Sequence, residues 1–178
     1  MEERNMKDNI KVLISQEDLE NRIKEMAEQI NKDYEGEALH LICILRGSVF
    51  FTCELAKHLT MPVTIDFMTA SSYRDQMESQ GFVDIMQELT DSIEDRNVLV
   101  IEDIIDSGNT LSCLLPIFQE KHPKSLKLCT LLDKPDRRVV DVKVDYVGMQ
   151  IPDLFVVGYG LDFAQKYRNL PYIGVIQQ

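Results

Sequence analysis

Three carboxylates stand at the end of one aliphatic segment, in the stretch VLVIEDIIDSGNTL at positions 98–111. Glu102 and Asp103 close the aliphatic run, and Asp106 follows after two further aliphatic residues. Adjacent carboxylates can bind Mg²⁺ or accept hydrogen bonds from the two hydroxyl groups of a ribose, because both ligands require oxygen acceptors. A solvated strand end is the alternative interpretation, and it explains one acid better than two in succession.

The turn that follows can bind a phosphate group. It comprises Asp106, Ser107, Gly108, Asn109 and Thr110. Backbone N–H groups where such a turn enters a helix, together with Ser and Thr hydroxyls, form a nest for an anion. No Gly-Lys-Ser/Thr follows, so the turn is not a Walker loop. The stretch therefore predicts a cradle for a sugar phosphate, with hydroxyls at the acidic end and phosphate at the helix end. A plain helix cap is the alternative.

A sheet must position these residues, and the hydrophobic pattern predicts one. Nearly continuous aliphatic segments alternate with helical ones, which indicates a parallel sheet covered on both faces. Strands are predicted in ALHLICIL, VTIDFMTA, VLVIED and SLKLCTLLD, an edge strand in FVDIMQEL, and further short strands in VDYVGMQI, LFVVGYG and YIGVIQ. In such sheets ligands bind beyond the carboxyl ends of the strands. The segments RGS, SSYRDQMESQG, EDIIDSGNT and DKPD all stand at such ends.

Three segments predict helices. SQEDLENRIKEMAEQINKDY has apolar residues at helical spacing and a capping box in Ser15 and Asp18. VFFTCELAKHL is the second helix and TLSCLLPIFQEK the third. Pro116 lies within the third segment, so we expect a kink there or a later start.

Length and composition bound the class of protein. The 178 residues, 44% hydrophobic and 28% charged, predict a single globular domain over 1–178, with a flexible tail at 1–10. A net charge of -11 predicts no nucleic-acid partner and no attraction to anionic lipid. No apolar run suggests a membrane span or a signal peptide. Four scattered cysteines predict reduced, buried thiols in a cytoplasmic protein: Cys43, Cys53, Cys113 and Cys129.

The order of an aliphatic strand, two acids, two aliphatic residues, Asp, a small residue, Gly and a later Thr resembles the phosphoribosyl-pyrophosphate signature of type I phosphoribosyltransferases. LRGS, SSY, LLDKPDRR and IPDLFVVGYGLDFAQKYRNLPYIGV are similar, in order and spacing, to the hypoxanthine-guanine phosphoribosyltransferases of purine salvage. The resemblance runs from about Leu13 to the C-terminus. It implies an α/β fold, a parallel twisted sheet flanked by helices, with a small hood formed by the N- and C-terminal segments.

The resemblance also implies an activity. The family transfers 5-phosphoribosyl from its 1-pyrophosphate to N9 of hypoxanthine or guanine, giving IMP or GMP and pyrophosphate, with Mg²⁺ as cofactor. Relatives are cytoplasmic homodimers or homotetramers. Glu102 and Asp103 match the acids that face the ribose hydroxyls, directly or through Mg²⁺. Asp106 matches the proposed general base near N7 of the purine, and residues 106–110 match the 5′-phosphate loop.

Four residues match the family's purine site. Lys134 matches a lysine that donates to the oxygen at purine C6, Phe155 an aromatic that stacks on the base, and Val156 a residue whose backbone contacts it. Asp162 matches an acid near the purine, the second Mg²⁺ and the pyrophosphate. A surface lysine and an ordinary core aromatic are the alternatives for Lys134 and Phe155.

The pyrophosphate site is implied in three places. Arg46 and Gly47 match a loop that often contains a strained or cis peptide, and Arg168 matches an arginine that grips pyrophosphate. Ser72 and Tyr73 match a pair in a mobile loop, here 71–81, that closes over the site. The sequence departs from relatives after this pair, where RDQME replaces a Gly- and Ser-rich stretch.

Two other classes of function remain open from the sequence. A nucleotide-sensing, RNA-binding regulator can be built on the same fold, but it would need a basic face. A signalling receiver domain also has an acid pair and a late Lys-Pro. In receivers, however, the acid pair follows the first strand, whereas here it lies past mid-chain.

Overall fold

The computed structural model describes residues 10–72 and 83–177. The strands are β1 (Ile10–Ile14), β2 (Leu39–Leu45), β3 (Val63–Ser72), β4 (Val83–Gln87), β5 (Asn97–Ile105), β6 (Ser125–Asp133), β7 (Tyr146–Gln150), β8 (Val156–Val157) and β9 (Ile173–Ile176). The central sheet has the order β4-β3-β2-β5-β6-β7. Its strands are parallel except β4, which pairs antiparallel with β3 at the edge. The predicted fold class and edge strand are confirmed.

Three helices pack on this sheet: α1 (Gln16–Asp33), α2 (Val49–His58) and α3 (Asn109–Gln119). The first begins where the sequence predicts, because the Ser15 side chain accepts a hydrogen bond from the Asp18 backbone N–H at 3.1 Å. Leu19, Ile23 and Met26 share one face of α1 and are buried. Helical spacing of apolar residues thus sets which face of α1 meets the sheet.

Each face of the sheet packs against its own apolar core, and alternate residues of β5 contribute to one core or the other. Leu99 and Ile101 belong to the core beneath α1 and α2, whereas Val98 and Val100 belong to the core beneath α3. Successive strand residues point to opposite faces. A strand that is apolar at every position is therefore buried on both sides, as the aliphatic runs predict.

A second, three-stranded sheet joins the two ends of the chain. Its order is β1-β9-β8, and β9 pairs antiparallel with both neighbours. This small sheet corresponds to the hood that the family resemblance implies.

Several details of the sequence interpretation need correction. Residues 1–9 lie outside the described residues, but Ile10, the last residue of the predicted tail, begins β1. The segment LFVVGYG contributes only the two residues of β8. The third helix does not start later to avoid Pro116, which lies inside it.

The cysteines were also predicted too uniformly. Cys43 and Cys129 are buried, but Cys53 is exposed and Cys113 is partly exposed. Cys53 lies on α2, where apolar neighbours in the sequence do not decide which face meets the core. Among the described residues, none of the helices combines the length and apolar character that crossing a bilayer requires.

Candidate active site

The carboxyl ends of β2, β5 and β6 meet at one edge of the sheet, because these strands are parallel neighbours. The loop of Arg46 and Gly47 follows β2, the acid pair and Asp106 lie at the end of β5, and Lys134 follows β6. The Lys134 backbone N–H donates to the Ile105 carbonyl at 3.0 Å, which joins the last two segments directly. The structure therefore brings together three of the four sequence-predicted segments at one edge.

The acid pair lies inside β5 and carries unfavourable electrostatics. Burial, reinforced by the neighbouring Asp103, raises the pKa of Glu102 well above its usual range. Burial also raises the pKa of Asp103, although its carboxylate accepts a hydrogen bond from the Ile104 backbone N–H at 2.7 Å. Glu102 Oε2 is buried without a hydrogen-bond partner among the described residues. A cation or a hydroxyl donor would relieve this cost, so the pair fits Mg²⁺ or a ribose.

The turn after β5 enters α3 through a glycine in an unusual backbone conformation. Gly108 is the N-cap and adopts a left-handed conformation, with φ 85°. A Cβ there would lie 2.6 Å from the Val140 carbonyl oxygen, so only glycine fits. The Ser107 carbonyl accepts hydrogen bonds from the N–H groups of Val139 and Val140 at 2.9 and 3.0 Å. The N-cap residue Gly108 has no side chain to cap α3, and the Asn109 N–H makes only a long hydrogen bond to Ser107 Oγ at 3.4 Å, so this helix start can accept an anion.

Asn109 and Thr110 complete this turn. The Asn109 side chain is exposed and its backbone N–H lies 3.4 Å from Ser107 Oγ. The interpretation that the backbone of Asn109 matters more than its side chain stays a prediction. Thr110 is partly exposed in the first turn of α3.

Lys134 is a buried cation between two carboxylates, and not the surface lysine of the alternative interpretation. It is 6% exposed, and its Nζ lies 3.5 Å from Asp106 Oδ1 and 3.9 Å from Asp153 Oδ1. Arg137 approaches the same two acids, at 3.7 Å from Asp106 and 3.4 Å from Asp153. The lysine makes no short hydrogen bond to either acid, so its ammonium protons remain available to a ligand.

Phe155 is an exposed aromatic, which rules out the core alternative. It is 57% exposed and contacts Phe163 edge-to-face, with ring centroids 5.7 Å apart. Val156, the first residue of β8, is buried. Exposed rings cost hydrophobic free energy unless a ligand covers them, so this pair offers a stacking surface.

The loop after β2 packs tightly against the acid pair. The Leu45–Arg46 peptide bond is cis, as the resemblance implies. A Cβ on Gly47 would overlap Asp103 Oδ2, and a Cβ on Gly160 would overlap the Gly47 carbonyl oxygen. Two glycines therefore let the loop after β2, the acid pair and the C-terminal loop approach one another.

Arg168 enters this region from the C-terminal loop. Its Nη2 lies 2.8 Å from Asp162 Oδ1, and its Nη1 donates to the Gly160 carbonyl at 2.7 Å. Its positive charge partly opposes the rise in the pKa of Asp103, and its hydrogen bond to Gly160 places it beside the segment that contacts Gly47. Asp162 thus forms its ion pair with Arg168. Within 10–72 and 83–177, no three His, Cys, Asp or Glu side chains cluster closely enough to hold one metal ion.

Ser72 is the last residue of β3, and Tyr73 lies outside the described residues, as does most of the predicted mobile loop. Sequence reasoning missed Asp153, Arg137 and Gln165, although all three stand inside the quoted segments IPDLF, LLDKPDRR and DFAQKYR. Their adjacency to named site residues is the only signal that could have found them.

Comparison with known proteins agrees with this geometry. Residues 13–164 match the phosphoribosyl transferase domain family. The chain is 50% identical to the hypoxanthine phosphoribosyltransferase of Buchnera aphidicola, over 96% of this chain and 98% of that protein. It is 47% identical to the hypoxanthine-guanine phosphoribosyltransferase of Bacillus subtilis, over 94% and 93% respectively.

A solved structure gives the same result. The hypoxanthine phosphoribosyltransferase of Staphylococcus aureus has 46% identity and a TM-score of 0.92, covering 98% of this chain and 97% of that one. Sequence, fold and the assembled carboxyl-end site therefore agree, and the chain is an enzyme of the phosphoribosyl transferase family, within its hypoxanthine-guanine phosphoribosyltransferase group.

Proposed function

We propose that this enzyme transfers 5-phosphoribosyl from 5-phosphoribosyl 1-pyrophosphate to N9 of hypoxanthine or guanine, giving IMP or GMP and pyrophosphate. The observation that carries the proposal is the convergence, at one sheet edge, of an acid pair with a partnerless oxygen on Glu102, an uncapped helix start and a buried lysine. These features suit, in order, a ribose, a phosphate and a 6-oxopurine. The names of the relatives support the same substrates.

The sugar phosphate binds at the carboxyl end of β5. The N–H groups of residues 107–110 hold the 5′-phosphate, and Glu102 and Asp103 face the ribose hydroxyls. Gly47 borders Asp103, and Arg168 is hydrogen-bonded to Gly160 next to Gly47; the pyrophosphate group of the donor lies there. Arg168 presents a planar guanidinium, which suits bidentate contact with phosphate oxygens.

The acid pair is also the proposed binding site for Mg²⁺, and Asp162 borders a second one. Magnesium bound there supplies positive charge to the pyrophosphate leaving group and orients the ribose. It fits this site because Mg²⁺ binds through one or two carboxylates and takes its other ligands from water and substrate phosphates. A cation bound there would offset the repulsion between Glu102 and Asp103, and this relief would favour metal binding.

The purine lies between Phe155 and the Lys134–Asp106 pair. Phe155 stacks on the ring while Lys134 donates to the 6-oxo group. An ammonium group cannot accept a hydrogen bond, so the site disfavours the 6-amino group of adenine. Asp106 faces N7 and holds or takes the purine proton as N9 attacks the ribose carbon. Arg137 and Asp153 flank both residues and keep them in place.

The transition state has oxocarbenium character at the ribose, so catalysis consists mainly of stabilising the departing pyrophosphate. Arg168 and backbone N–H groups near Gly47 supply that stabilisation from fixed positions. Preorganised donors of this kind contribute more than mobile ones because they need no reorganisation during the reaction.

Assembly as a homodimer or homotetramer in the cytoplasm is part of the proposal. Ile65 and Phe67 share one face of β3 and are 41% and 37% exposed. Exposed apolar side chains in one region favour a protein interface. Sedimentation of the wild type and of Phe67→Ser tests this point, because a smaller species is expected for the variant.

A spectrophotometric assay with Mg²⁺, phosphoribosyl pyrophosphate and each of four purines tests the activity. We expect hypoxanthine and guanine to be consumed with equimolar pyrophosphate release, adenine to be rejected, and chelation of Mg²⁺ to stop the reaction. The assay leaves the rank of hypoxanthine, guanine and xanthine to be measured. Failure to convert any 6-oxopurine would contradict the proposal, and RNA retention in a filter-binding assay would then favour the regulator.

A further inference from the structure

One amide oxygen links two arginines that come from opposite parts of the chain. Gln165 Oε1 accepts hydrogen bonds from Arg46 Nη1 and from Arg168 Nη2, each at 3.2 Å. Arg46 stands 119 positions earlier, in the loop after β2, whereas Arg168 lies on the C-terminal loop. This bridge therefore joins the two segments that border the pyrophosphate end of the site.

The bridging group is neutral, which matters for an anionic ligand. Two guanidinium groups that converge on one atom repel each other unless something lies between them. Asp162 pairs with Arg168 at 2.8 Å, but no carboxylate of the described residues lies within 4.0 Å of the Arg46 guanidinium. An amide oxygen orients both cations without cancelling their charge. The pair thus keeps a net positive charge that a polyanion can neutralise.

The position of Gln165 is itself fixed. Its backbone N–H donates to Asp162 Oδ2 at 2.8 Å, while Asp162 Oδ1 holds Arg168. Gln165 has φ 67°, in the left-handed region, within a loop where Ala164 and Tyr167 also have positive φ. One carboxylate thus anchors both the backbone that carries the amide and one of the two arginines that the amide orients.

We propose that Gln165 is a positioning residue that holds Arg46 and Arg168 together as a paired binding site for the diphosphate group. The inference rests on the proposed function for the identity of the ligand. Gln165 acts through the two arginines. Its loss should weaken diphosphate binding and leave purine binding intact.

The test is Gln165→Met, which keeps the length of the side chain and removes the acceptor. We expect about a tenfold rise in the KM for phosphoribosyl pyrophosphate and in the Kd for magnesium pyrophosphate measured by calorimetry, the scale of one hydrogen bond to a charged group. The KM for hypoxanthine and the melting temperature should not change. Gln165→Glu retains an acceptor oxygen but places a negative charge between the two arginines, so it should keep the wild-type stability while diphosphate binding stays weaker than in wild type.

Gln119→Met is the matched control, because Gln119 is exposed at the end of α3, away from the site. It should match the wild type in every measurement. In a double variant with Arg46→Met, the loss in magnesium pyrophosphate binding should be smaller than the two single losses added together, since both changes remove the Arg46–Gln165 hydrogen bond.

Three results would overturn the inference while leaving the proposed function intact: unchanged diphosphate binding in Gln165→Met, an equal rise in both KM values, or loss of stability without rescue by Glu. If the wild type does not transfer phosphoribosyl, the proposed function fails. The pyrophosphate titration of wild type and Gln165→Met then still decides the role of Gln165, and a wild type that does not bind pyrophosphate would refute that role as well.

Discussion

Asp66 and Glu102 are two desolvated carboxyl groups on strands of the same sheet, and they differ in whether hydrogen-bond donors surround them. Asp66 accepts backbone hydrogen bonds from Phe67 and Thr90 at 2.7 Å each and from Asp91 at 3.1 Å. Although burial acts in the other direction, these donors lower its pKa. Glu102 has an acid as its neighbour and a buried oxygen without a partner, and its pKa is raised. A buried carboxylate with hydrogen-bond donors stabilises the fold, whereas one without them marks a candidate ligand site.

The same difference separates the two ends of the sheet. A cavity of about 260 Å³ lies at the amino ends of β2, β3 and β5. Three of the charged side chains that line it have partners: Lys124 donates to both oxygens of Glu37 at 2.9 and 2.8 Å, and Arg96 donates to Thr64 at 2.8 Å. His40 Nε2 is an exception without a partner, but burial lowers the pKa of this histidine and keeps it neutral. Cavity size alone therefore does not locate the chemistry of this protein.

The largest effect on activity is expected from neutralising an acid at the carboxyl end of the sheet. Asp106→Asn should lower kcat by roughly 10²-fold, the low end of what the loss of a general base costs. The KM for phosphoribosyl pyrophosphate should change little, because backbone N–H groups hold the phosphate. Steady-state kinetics across pH checks this, and full kcat at every pH would contradict the role of Asp106.

Changing the buried cation should have a somewhat smaller effect. Lys134→Gln should weaken the binding of hypoxanthine by about 2 kcal/mol, the worth of one charge-assisted hydrogen bond. It should also relax discrimination against adenine, since an amide can accept from a 6-amino group. Competition binding with the two purines measures both effects. If adenine is still rejected and hypoxanthine binds unchanged, Lys134 does not read the base.

A change at the satisfied carboxylate should affect stability alone. Asp66→Asn leaves at least one of its three backbone donors without a full partner and should lower the free energy of unfolding by about 1.5 kcal/mol at pH 7. The lowered pKa of Asp66 means that its contribution is present at neutral pH and is lost as pH falls below about 4. Urea unfolding of both proteins at pH 7 and at low pH should show the difference shrinking, with kcat unchanged at pH 8.

Local patterns in the sequence predicted the central sheet well, because strands such as β5 are buried on both faces and show it in their composition. Ser15 at the start of α1 was predictable for a similar reason, since a helix cap is a local hydrogen bond. The strand β1 was missed because Ile10–Ile14 is half exposed and is stabilised by pairing with β9, at the other end of the chain. Such pairing leaves no local signal.

The candidate site also has parts with a local sequence signal and parts without one. The acid pair and the turn after it were predictable, because their chemistry lies within one short segment. The partnership of Lys134 with Asp153, and of Arg46 with Gln165, joins residues that are distant in sequence and single in type. No spacing rule connects them. Only the folded chain shows which polar side chains share a partner.

Glu102→Gln tests most directly the claim that the carboxyl end carries unfavourable electrostatics for the sake of its ligand. The raised pKa of Glu102 means that its ionisation costs stability as pH rises above the ordinary range of a carboxyl group, near 4.3. Without divalent metal, the variant should be more stable than wild type at pH 8, and this advantage should fade toward pH 4. Phosphoribosyl transfer should be greatly reduced. A variant that is less stable than wild type at pH 8, or that remains fully active, would contradict the account.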